Sequence, residues 1–134
     1  MSETDGSYSV EALPGVRAFS AADWARLDST GRSSPDYNPF ISHAFLSALE
    51  ESDSVGPGTG WSPAPLQVRE EGRLMAAAPA YLKTHSHGEY VFDQGWADAW
   101  QRAAGAYYPK LLVAVPFTPV PGPRLLGSRP QALL

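Results

Sequence analysis

Two histidines and a glutamate alternate along residues 85–89 at a spacing that could hold a metal ion. His85, His87 and Glu89 are two residues apart, so a continuous strand would place all three side chains on one face. Imidazole nitrogens together with a carboxylate are suitable zinc ligands. Gly88 disfavours a continuous strand, and the sequence offers no evident fourth ligand. A polar loop between two strands explains the same residues, so we predict no metal here.

A second group of candidate residues lies where a predicted strand leads into a helix. Asp93 and Asp98 flank Trp96, and strand ends that enter helices often carry ligand-binding groups in α/β proteins. The two carboxylates could act as a general base or bind a cation. Asp98 also fits a structural role, because a negative charge is favourable in the first turn of a helix.

The segment 107–110, Tyr-Tyr-Pro-Lys, places two phenols and an ammonium group beside an apolar run. These groups could bind an anionic substrate, although aromatic packing at a helix end explains the tyrosines equally well. The three histidines and many serines do not define a Ser-His-Asp set. The sequence contains neither a phosphate-binding loop nor a dinucleotide-binding motif.

The composition limits the classes of protein to which the chain can belong. Its 134 residues are enough for one small domain. The absence of cysteine excludes disulfide scaffolds, zinc ribbons and thiol catalysis, and it favours a reducing compartment. The sequence has no apolar run long enough to cross a bilayer and no signal-peptide pattern. We therefore expect a cytoplasmic protein.

The charges are unevenly distributed along the chain. All 14 acidic residues precede residue 99, whereas residues 99–134 carry four basic residues and no acidic one. A basic segment of this kind could bind an anionic ligand, or it could neutralise the acidic part of the same fold. Four bases do not make a nucleic-acid-binding surface.

Two helix starts are marked by capping residues. Ser20 followed by Asp23 forms a capping box, and Phe19 and Trp24 occupy the positions of a hydrophobic staple. Ser42 is the second predicted cap, with Ile41 and Leu46 at its staple positions. We predict a third helix over residues 96–107, where tryptophan, alanine and tyrosine recur at helical spacing.

The strands are predicted mainly in the second half of the chain. Residues 66–69 and 73–82 form a hairpin through a Glu71-Gly72 turn. Glu89–Asp93 forms a further strand, and the apolar run Leu111–Val115 forms a strand buried on both faces. Leu125-Leu126 begins another strand. This order predicts an α+β or α/β fold with a mixed sheet flanked by helices.

Several of these segments together resemble a known family. They are His85–Asp93, Trp96–Ala99, Tyr107–Pro119, Asn38-Pro39-Phe40 and Gly122–Leu126. Across residues 18–126 they resemble the bacterial FemAB-like family, which belongs to the GNAT superfamily of N-acyltransferases and is associated with peptidoglycan biosynthesis. The sequence departs from the family pattern at Gln94, Trp100 and Pro121.

The resemblance implies an N-terminal half of a longer, two-part enzyme. It predicts a flexible tail over residues 1–17, a GNAT-like half-domain over 18–126 and a frayed or truncated end over 127–134, so the GNAT-like fold would lack its closing C-terminal elements. The missing half would be its structural partner. The implied reaction is transfer of an acyl or aminoacyl group to an amine, in which the substrate is a small molecule or a peptidoglycan precursor.

The resemblance also implies a set of substrate-binding residues, namely Asp93, Trp96, Tyr108, Lys110 and Arg124. It leaves the catalytic residues unassigned. The donor of the whole enzyme would be an acyl-CoA or an aminoacyl-tRNA, but the single glycine at the Asp93–Ala97 junction offers no cradle for a pyrophosphate. We therefore expect this chain to bind no cofactor and to be inactive alone. The alternatives are a non-catalytic truncated remnant and a small His-based metal-binding module.

Overall fold

A computed structural model describes residues 8–30, 34–89 and 93–127. The described chain contains three α-helices, two short 3₁₀ turns and seven strands. The helices are α1 (Ala21–Leu27), α2 (His43–Glu51) and α3 (Gln94–Ala103), and the 3₁₀ turns are Val16–Ala18 and Pro39–Ile41. The strands are β1 (Tyr8–Ala12), β2 (Trp61–Pro63), β3 (Leu66–Glu70), β4 (Arg73–Ala78), β5 (Ala80–Lys83), β6 (Lys110–Val113) and β7 (Leu126–Gly127). None of these helices is long and apolar enough to cross a membrane.

Both predicted helix caps are confirmed. The Ser20 hydroxyl accepts a hydrogen bond from the Asp23 amide at 3.0 Å, and Ser42 accepts one from the Phe45 amide at 3.1 Å. Each bond satisfies an amide that would otherwise lack a partner in the first turn of a helix. The staple pair Phe19 and Trp24 meets edge to face, with ring centroids 5.1 Å apart.

The predicted hairpin is also confirmed, but its return strand is divided at Pro79. β3 pairs with β4 through the Glu71-Gly72 turn, and both turn residues have positive φ. Pro79 has no amide hydrogen to donate to a neighbouring strand, and it separates β4 from β5. The described strands therefore form two antiparallel sheets, β1-β3-β4-β7 and β2-β5-β6, instead of one mixed sheet. The described fold is α+β.

The edges of the four-stranded sheet come from distant parts of the chain. β1 lies within the predicted tail 1–17 and pairs with β3 over five residues. Its side chains are all exposed, and its alternation of apolar and polar residues is confined to five positions. β7 pairs with β4 on the other side and confirms the strand predicted from Leu125-Leu126. Of the predicted frayed or truncated end, 127–134, only residue 127 lies within the described residues.

The main hydrophobic core lies between α1, α2 and the four-stranded sheet. Trp24 and Leu46 from the helices pack with Leu74, Ala77 and Leu126 from the strands. The small side chain of Ala77 lets α1 lie close to β4. A second cluster of Val55, Trp61 and Tyr81 covers the inner face of the three-stranded sheet.

Two predictions for the second half of the chain need correction, and a third is untested. The strand at Leu111–Val115 is not buried on both faces, because Leu111 is 52% exposed and β6 has a neighbour only on its β5 side among the described strands. The third helix ends at Ala103, since Gly105 with φ of 105° terminates it. The strand predicted over Glu89–Asp93 runs through residues 90–92, which lie outside the described residues.

Candidate functional site

The candidate site contains two lysines that are paired on neighbouring strands of the three-stranded sheet. Lys83 is the last residue of β5 and Lys110 is the first of β6, and the strand register places them directly opposite. Like charges in this position destabilise a sheet unless opposite charges compensate them. Glu89, in the loop after β5, and Asp93, directly before α3, supply those charges.

The four side chains form a continuous ion-paired cluster, called here the charge network. Glu89 bridges the lysines, with Oε2 at 2.9 Å from the Lys83 Nζ and Oε1 at 2.8 Å from the Lys110 Nζ. The Lys110 Nζ also lies 2.5 Å from the Asp93 Oδ2. Two positive and two negative charges therefore neutralise each other within one cluster.

Lys83 is the most deeply buried member of the charge network. Its side chain is 0% exposed, its Nζ lies 3.7 Å from the centre of the Trp61 ring, and it also donates to the His87 carbonyl. Burial lowers the pKa of Lys83, and the hydrogen bond to Glu89 opposes that shift without cancelling it. Glu89 is therefore the main partner that keeps a buried ammonium group charged.

The pKa values of Lys110 and Asp93 are shifted in the directions expected for a strong ion pair. Burial alone would lower the pKa of Lys110, but its hydrogen bonds to Asp93 and Glu89 outweigh burial and raise it. Burial would likewise raise the pKa of Asp93, but hydrogen bonds led by that from Lys110 lower it to about 2. Both groups are therefore charged at neutral pH, and neither is suited to accept a proton there.

Hydroxyl groups extend the charge network towards the surface. Tyr107 donates to the Asp93 Oδ2 at 2.8 Å, and this hydrogen bond raises the pKa of the tyrosine. Lys110 donates to the Ser86 Oγ at 2.9 Å, and that oxygen lies 2.6 Å from the Tyr108 hydroxyl. The other carboxylate oxygen of Asp93, Oδ1, is buried without a hydrogen-bond partner among the described residues.

A small cleft lies beside the charge network, along β6. Its volume is about 200 Å³, and its lining residues are Trp61, Gly88, Glu89, Leu112, Val113, Ala114, Val115, Thr118 and Arg124. The cleft is therefore largely apolar, and Glu89 and Arg124 are the charged residues of its lining.

The five predicted substrate-binding residues fall into three places. Asp93, Tyr108 and Lys110 are joined by the hydrogen bonds of the charge network. Arg124 lines the cleft, which shares Glu89 with the network. Trp96 is 75% exposed on α3 and makes no hydrogen bond or ring contact with the other four within the described residues.

The residues of the predicted metal-binding alternative have other partners. The His85 Nε2 lies 2.9 Å from the Thr59 carbonyl, and its Nδ1 accepts from the His87 amide at 3.0 Å. Both Glu89 oxygens accept from lysines. Residues 8–30, 34–89 and 93–127 contain no group of three or more His, Cys, Asp or Glu residues arranged to hold a metal ion.

Sequence reasoning missed Lys83 and Ser86 as members of this site, and it grouped Glu89 with the histidines. It named Tyr107 as a candidate beside Tyr108 but left it out of the predicted substrate-binding set. One signal was available. A lysine that follows the short apolar strand Ala80-Tyr81-Leu82 is positioned to be buried, and buried lysines need a partner. The identity of that partner depends on the loop after β5, which periodicity does not predict.

Comparison with models of known protein families gives a match over most of the chain. A family model described as peptidoglycan biosynthesis/recognition, FemAB-like, matches residues 15–132. Searches of curated proteins and of solved structures find no match. The matched residues contain every described element except β1. They also contain the two core clusters and the whole charge network. The chain belongs to the FemAB-like family.

Proposed function

We propose that this chain supplies a substrate-binding half-site for transfer of an acyl or aminoacyl group to an amine of a peptidoglycan precursor. Family membership supports the precursor as the substrate. The observation that carries the proposal is the Asp93–Lys110 pair, in which a charged carboxylate keeps one oxygen without a partner among the described residues. The residues proposed to bind substrate remain Asp93, Trp96, Tyr108, Lys110 and Arg124.

Asp93 is proposed to hold the amine of the acceptor. Its Oδ2 is occupied by Lys110 and Tyr107, whereas its Oδ1 can still accept an N–H hydrogen bond. Since Oδ1 is buried, the amine reaches it through a shift of neighbouring side chains. A carboxylate with a pKa of about 2 is too weak a base to remove a proton from the amine at neutral pH. Asp93 therefore orients the amine, and the general base is not assigned.

Tyr108 is proposed to donate a hydrogen bond to the carbonyl oxygen of the transferred group. The charged Lys110 donates to Ser86, and Ser86 can donate in turn to Tyr108. In that arrangement the phenol proton is available for the substrate, and the lysine charge strengthens it as a donor. A hydrogen bond of this kind stabilises negative charge that develops on the carbonyl oxygen during attack by the amine.

The donor is proposed to bind mainly outside this chain. Acyl-CoA and aminoacyl-tRNA are the two candidate donors, and both carry phosphates. Helix N-termini often bind phosphates, but Asp93 places a negative charge immediately before the first turn of α3. We therefore propose residues 18–126 as a GNAT-like half-domain that binds the acceptor and is inactive alone.

A binding experiment tests the amine-binding role. We expect a precursor peptide with a free side-chain amine to bind the purified chain measurably in calorimetry, and the N-acetylated peptide to bind more weakly. Asp93→Asn should weaken binding of the amine form selectively. The matched control is Asp98→Asn, which changes an exposed aspartate on α3. Circular dichroism at the titration temperature verifies that each variant is folded.

The proposal fails if the free and acetylated peptides bind equally, or if Asp93→Asn binds the amine form as the native chain does. Tyr108→Phe provides an independent check, because it removes one hydroxyl and keeps the ring that packs against Tyr107. The proposal requires Tyr108→Phe to bind the amine form as the native chain does, since Tyr108 acts on the transferred group and not on the acceptor.

A further inference from the structure

We propose that His85 is a positioning residue of the half-site, and that protonation of its ring weakens binding of the acceptor amine. The neutral ring fixes residues 85–89, called here the network loop, so that Ser86 and Glu89 meet Lys110. The part of the inference that concerns binding rests on the proposed role of Asp93, whereas the positioning of the loop does not.

The hydrogen bonds of His85 define the tautomer of its ring. Its Nε2 lies 2.9 Å from the Thr59 carbonyl, and because a carbonyl oxygen only accepts, Nε2 carries the proton. Its Nδ1 accepts from the His87 amide at 3.0 Å and therefore carries none. The ring is held in its neutral form, with one nitrogen as a donor and the other as an acceptor.

The network loop is anchored at both ends. At its start, the His85 ring lies against Gly60, where a β-carbon would collide with Nε2. Near its end, the Gly88 carbonyl accepts from the Phe117 amide at 3.2 Å, and a β-carbon on Gly88 would collide with the Phe117 ring. The loop therefore rests on two other parts of the chain, and His85 supplies the first of these contacts.

The backbone of His87 links the His85 ring to the buried lysine. Its amide donates to the His85 Nδ1, and its carbonyl accepts from the Lys83 Nζ at 2.8 Å. The bond to His85 therefore helps to hold a carbonyl that the Lys83 ammonium group needs.

Two of the three hydrogen bonds of the Lys110 ammonium group also go to the network loop. Its Nζ donates to Ser86 and to Glu89, and its third bond goes to the Asp93 Oδ2. Held in this way, the ammonium group leaves the Asp93 Oδ1 without a partner among the described residues. If the loop moved away, the released N–H groups would turn to Oδ1 and compete with the amine that is proposed to bind there.

Protonation of His85 breaks the bond that shapes the loop. A proton on Nδ1 points at the His87 amide, and two donors cannot form a hydrogen bond. From the turn before β2 the ring meets Thr59 and Gly60, which are uncharged, and from its own loop it meets the titratable ring of His87. Lys83, on the carbonyl of His87, adds a like charge. Histidine is the side chain that ordinarily changes charge between about pH 5 and 8.

A pH titration of the full chain followed by NMR tests the positioning role without a ligand. The amide signals of Tyr108 and Lys110, which are distant in the sequence, should shift together with the His85 ring as the pH falls from about 8 to about 5. The proposal is overturned if these two signals do not follow the ring.

Two variants compared at constant pH separate movement of the loop from a charge that acts through space. His85→Asn keeps an acceptor for the amide two residues later, so it should leave the Tyr108 and Lys110 signals close to their native positions. His85→Ala removes both hydrogen bonds and should move them. Equal shifts in the two variants, or none in His85→Ala, would reject the role of His85.

Calorimetry with a precursor peptide that has a free side-chain amine measures the effect on binding. Lowering the pH from about 8 to about 5 should weaken binding to the native chain about 3–10-fold, as expected for one competing hydrogen bond. His85→Asn cannot take up a proton and should bind independently of pH. The matched control His87→Gln changes the exposed neighbouring histidine and should keep the native pH dependence. An unchanged pH dependence in His85→Asn contradicts the inference.

Failure of this inference is distinguishable from failure of the proposed function. Tyr108 and Lys110 signals that follow His85, together with no binding of the amine peptide, would retain the positioning role and reject the role of Asp93. Amine binding that depends on Asp93 but not on pH would retain the proposed function and reject control by His85.

Discussion

Replacement of Glu89 by glutamine tests whether the charge network is what allows Lys83 to be buried. The substitution keeps the size of the side chain and one carbonyl oxygen, but it removes the negative charge shared by the two lysines. Lys110 still has Asp93 as an ion-pair partner. Lys83 retains only neutral partners, namely the His87 carbonyl, the amide oxygen of the new glutamine and the Trp61 ring. The cost therefore falls mainly on Lys83, whose side chain is 0% exposed.

The expected cost follows from the penalty for an unpaired buried charge. Removing one partner of a buried ion pair costs about 3–5 kcal/mol. Since the remaining carbonyl oxygen and the Trp61 ring partly compensate Lys83, we expect about 3 kcal/mol of destabilisation at neutral pH. That is a large share of the ~5–15 kcal/mol by which domains are stable. The control Glu51→Gln removes an exposed carboxylate, and it should change stability by less than ~0.5 kcal/mol.

A double-mutant cycle separates the ion pair from simple loss of packing. Lys83→Met replaces the lysine with an apolar side chain of similar length and leaves Glu89 paired with Lys110. In the double variant Lys83→Met/Glu89→Gln no buried ammonium group remains at position 83, so Glu89→Gln should cost about 1–3 kcal/mol less than in the native background. Urea unfolding followed by circular dichroism measures all four proteins.

The pH dependence of stability tests the same prediction independently, because the direction in which the cost of Glu89→Gln changes with pH can be predicted. The pKa of Lys83 in the folded chain lies below its ordinary value of 10.5, so the unfolded chain binds more protons between the two values. Stability from this group therefore rises as the pH rises through that interval. Without Glu89, which raises this pKa, the interval widens, and the destabilisation of Glu89→Gln should diminish at alkaline pH. A cost below ~1 kcal/mol at neutral pH, or one that grows with pH, would refute the reasoning.

Three further predictions concern other parts of the described chain. Asp93→Asn should cost about 2 kcal/mol at neutral pH, and because the pKa of Asp93 is lowered from 3.8 to about 2, that difference should disappear in urea unfolding as the pH falls through this interval. Because Leu111 and Val113 are exposed on β6, we expect the native chain to self-associate through this face. Leu111→Lys with Val113→Lys should reduce that self-association in sedimentation velocity without lowering the melting temperature, whereas Leu112→Lys, at a side chain that packs against the second core cluster, should unfold the chain. Stoichiometric zinc should not raise the melting temperature, since both ring nitrogens of His85 are hydrogen-bonded; a rise of several degrees would contradict that assignment.

The sequence predicts most reliably those features whose cause is local. The Ser20 and Ser42 caps bond to amides three residues further along the chain, so the residues that cause each bond are adjacent in the sequence. The Glu71-Gly72 turn is local in the same way. For these elements the spacing of residue types is enough to place the start of a helix or the reversal of a strand.

Features that depend on distant partners were predicted poorly. The prediction that β6 is buried on both faces was wrong, because an apolar run does not reveal which elements cover a strand. Leu111 lies on an exposed face. The histidine and glutamate spacing allowed a metal site, which we did not predict, but it gave no sign that Glu89 is held by Lys83 and by Lys110, which follows 21 residues later. The family resemblance placed Asp93, Tyr108 and Lys110 in one site, which spacing alone could not do.

The position of β7 at one edge of the four-stranded sheet has a consequence for how the chain is made. β4 lies between β3, with which it forms a local hairpin, and β7, which is synthesised much later. On the ribosome, β4 can pair with β3 as soon as the hairpin emerges, but its other edge stays open until Leu126 leaves the exit tunnel. Leu126 also completes the main core. The edge of β4 therefore stays unpaired at least while residues 79–126 are synthesised, a period in which chaperone binding would protect it from association with other chains.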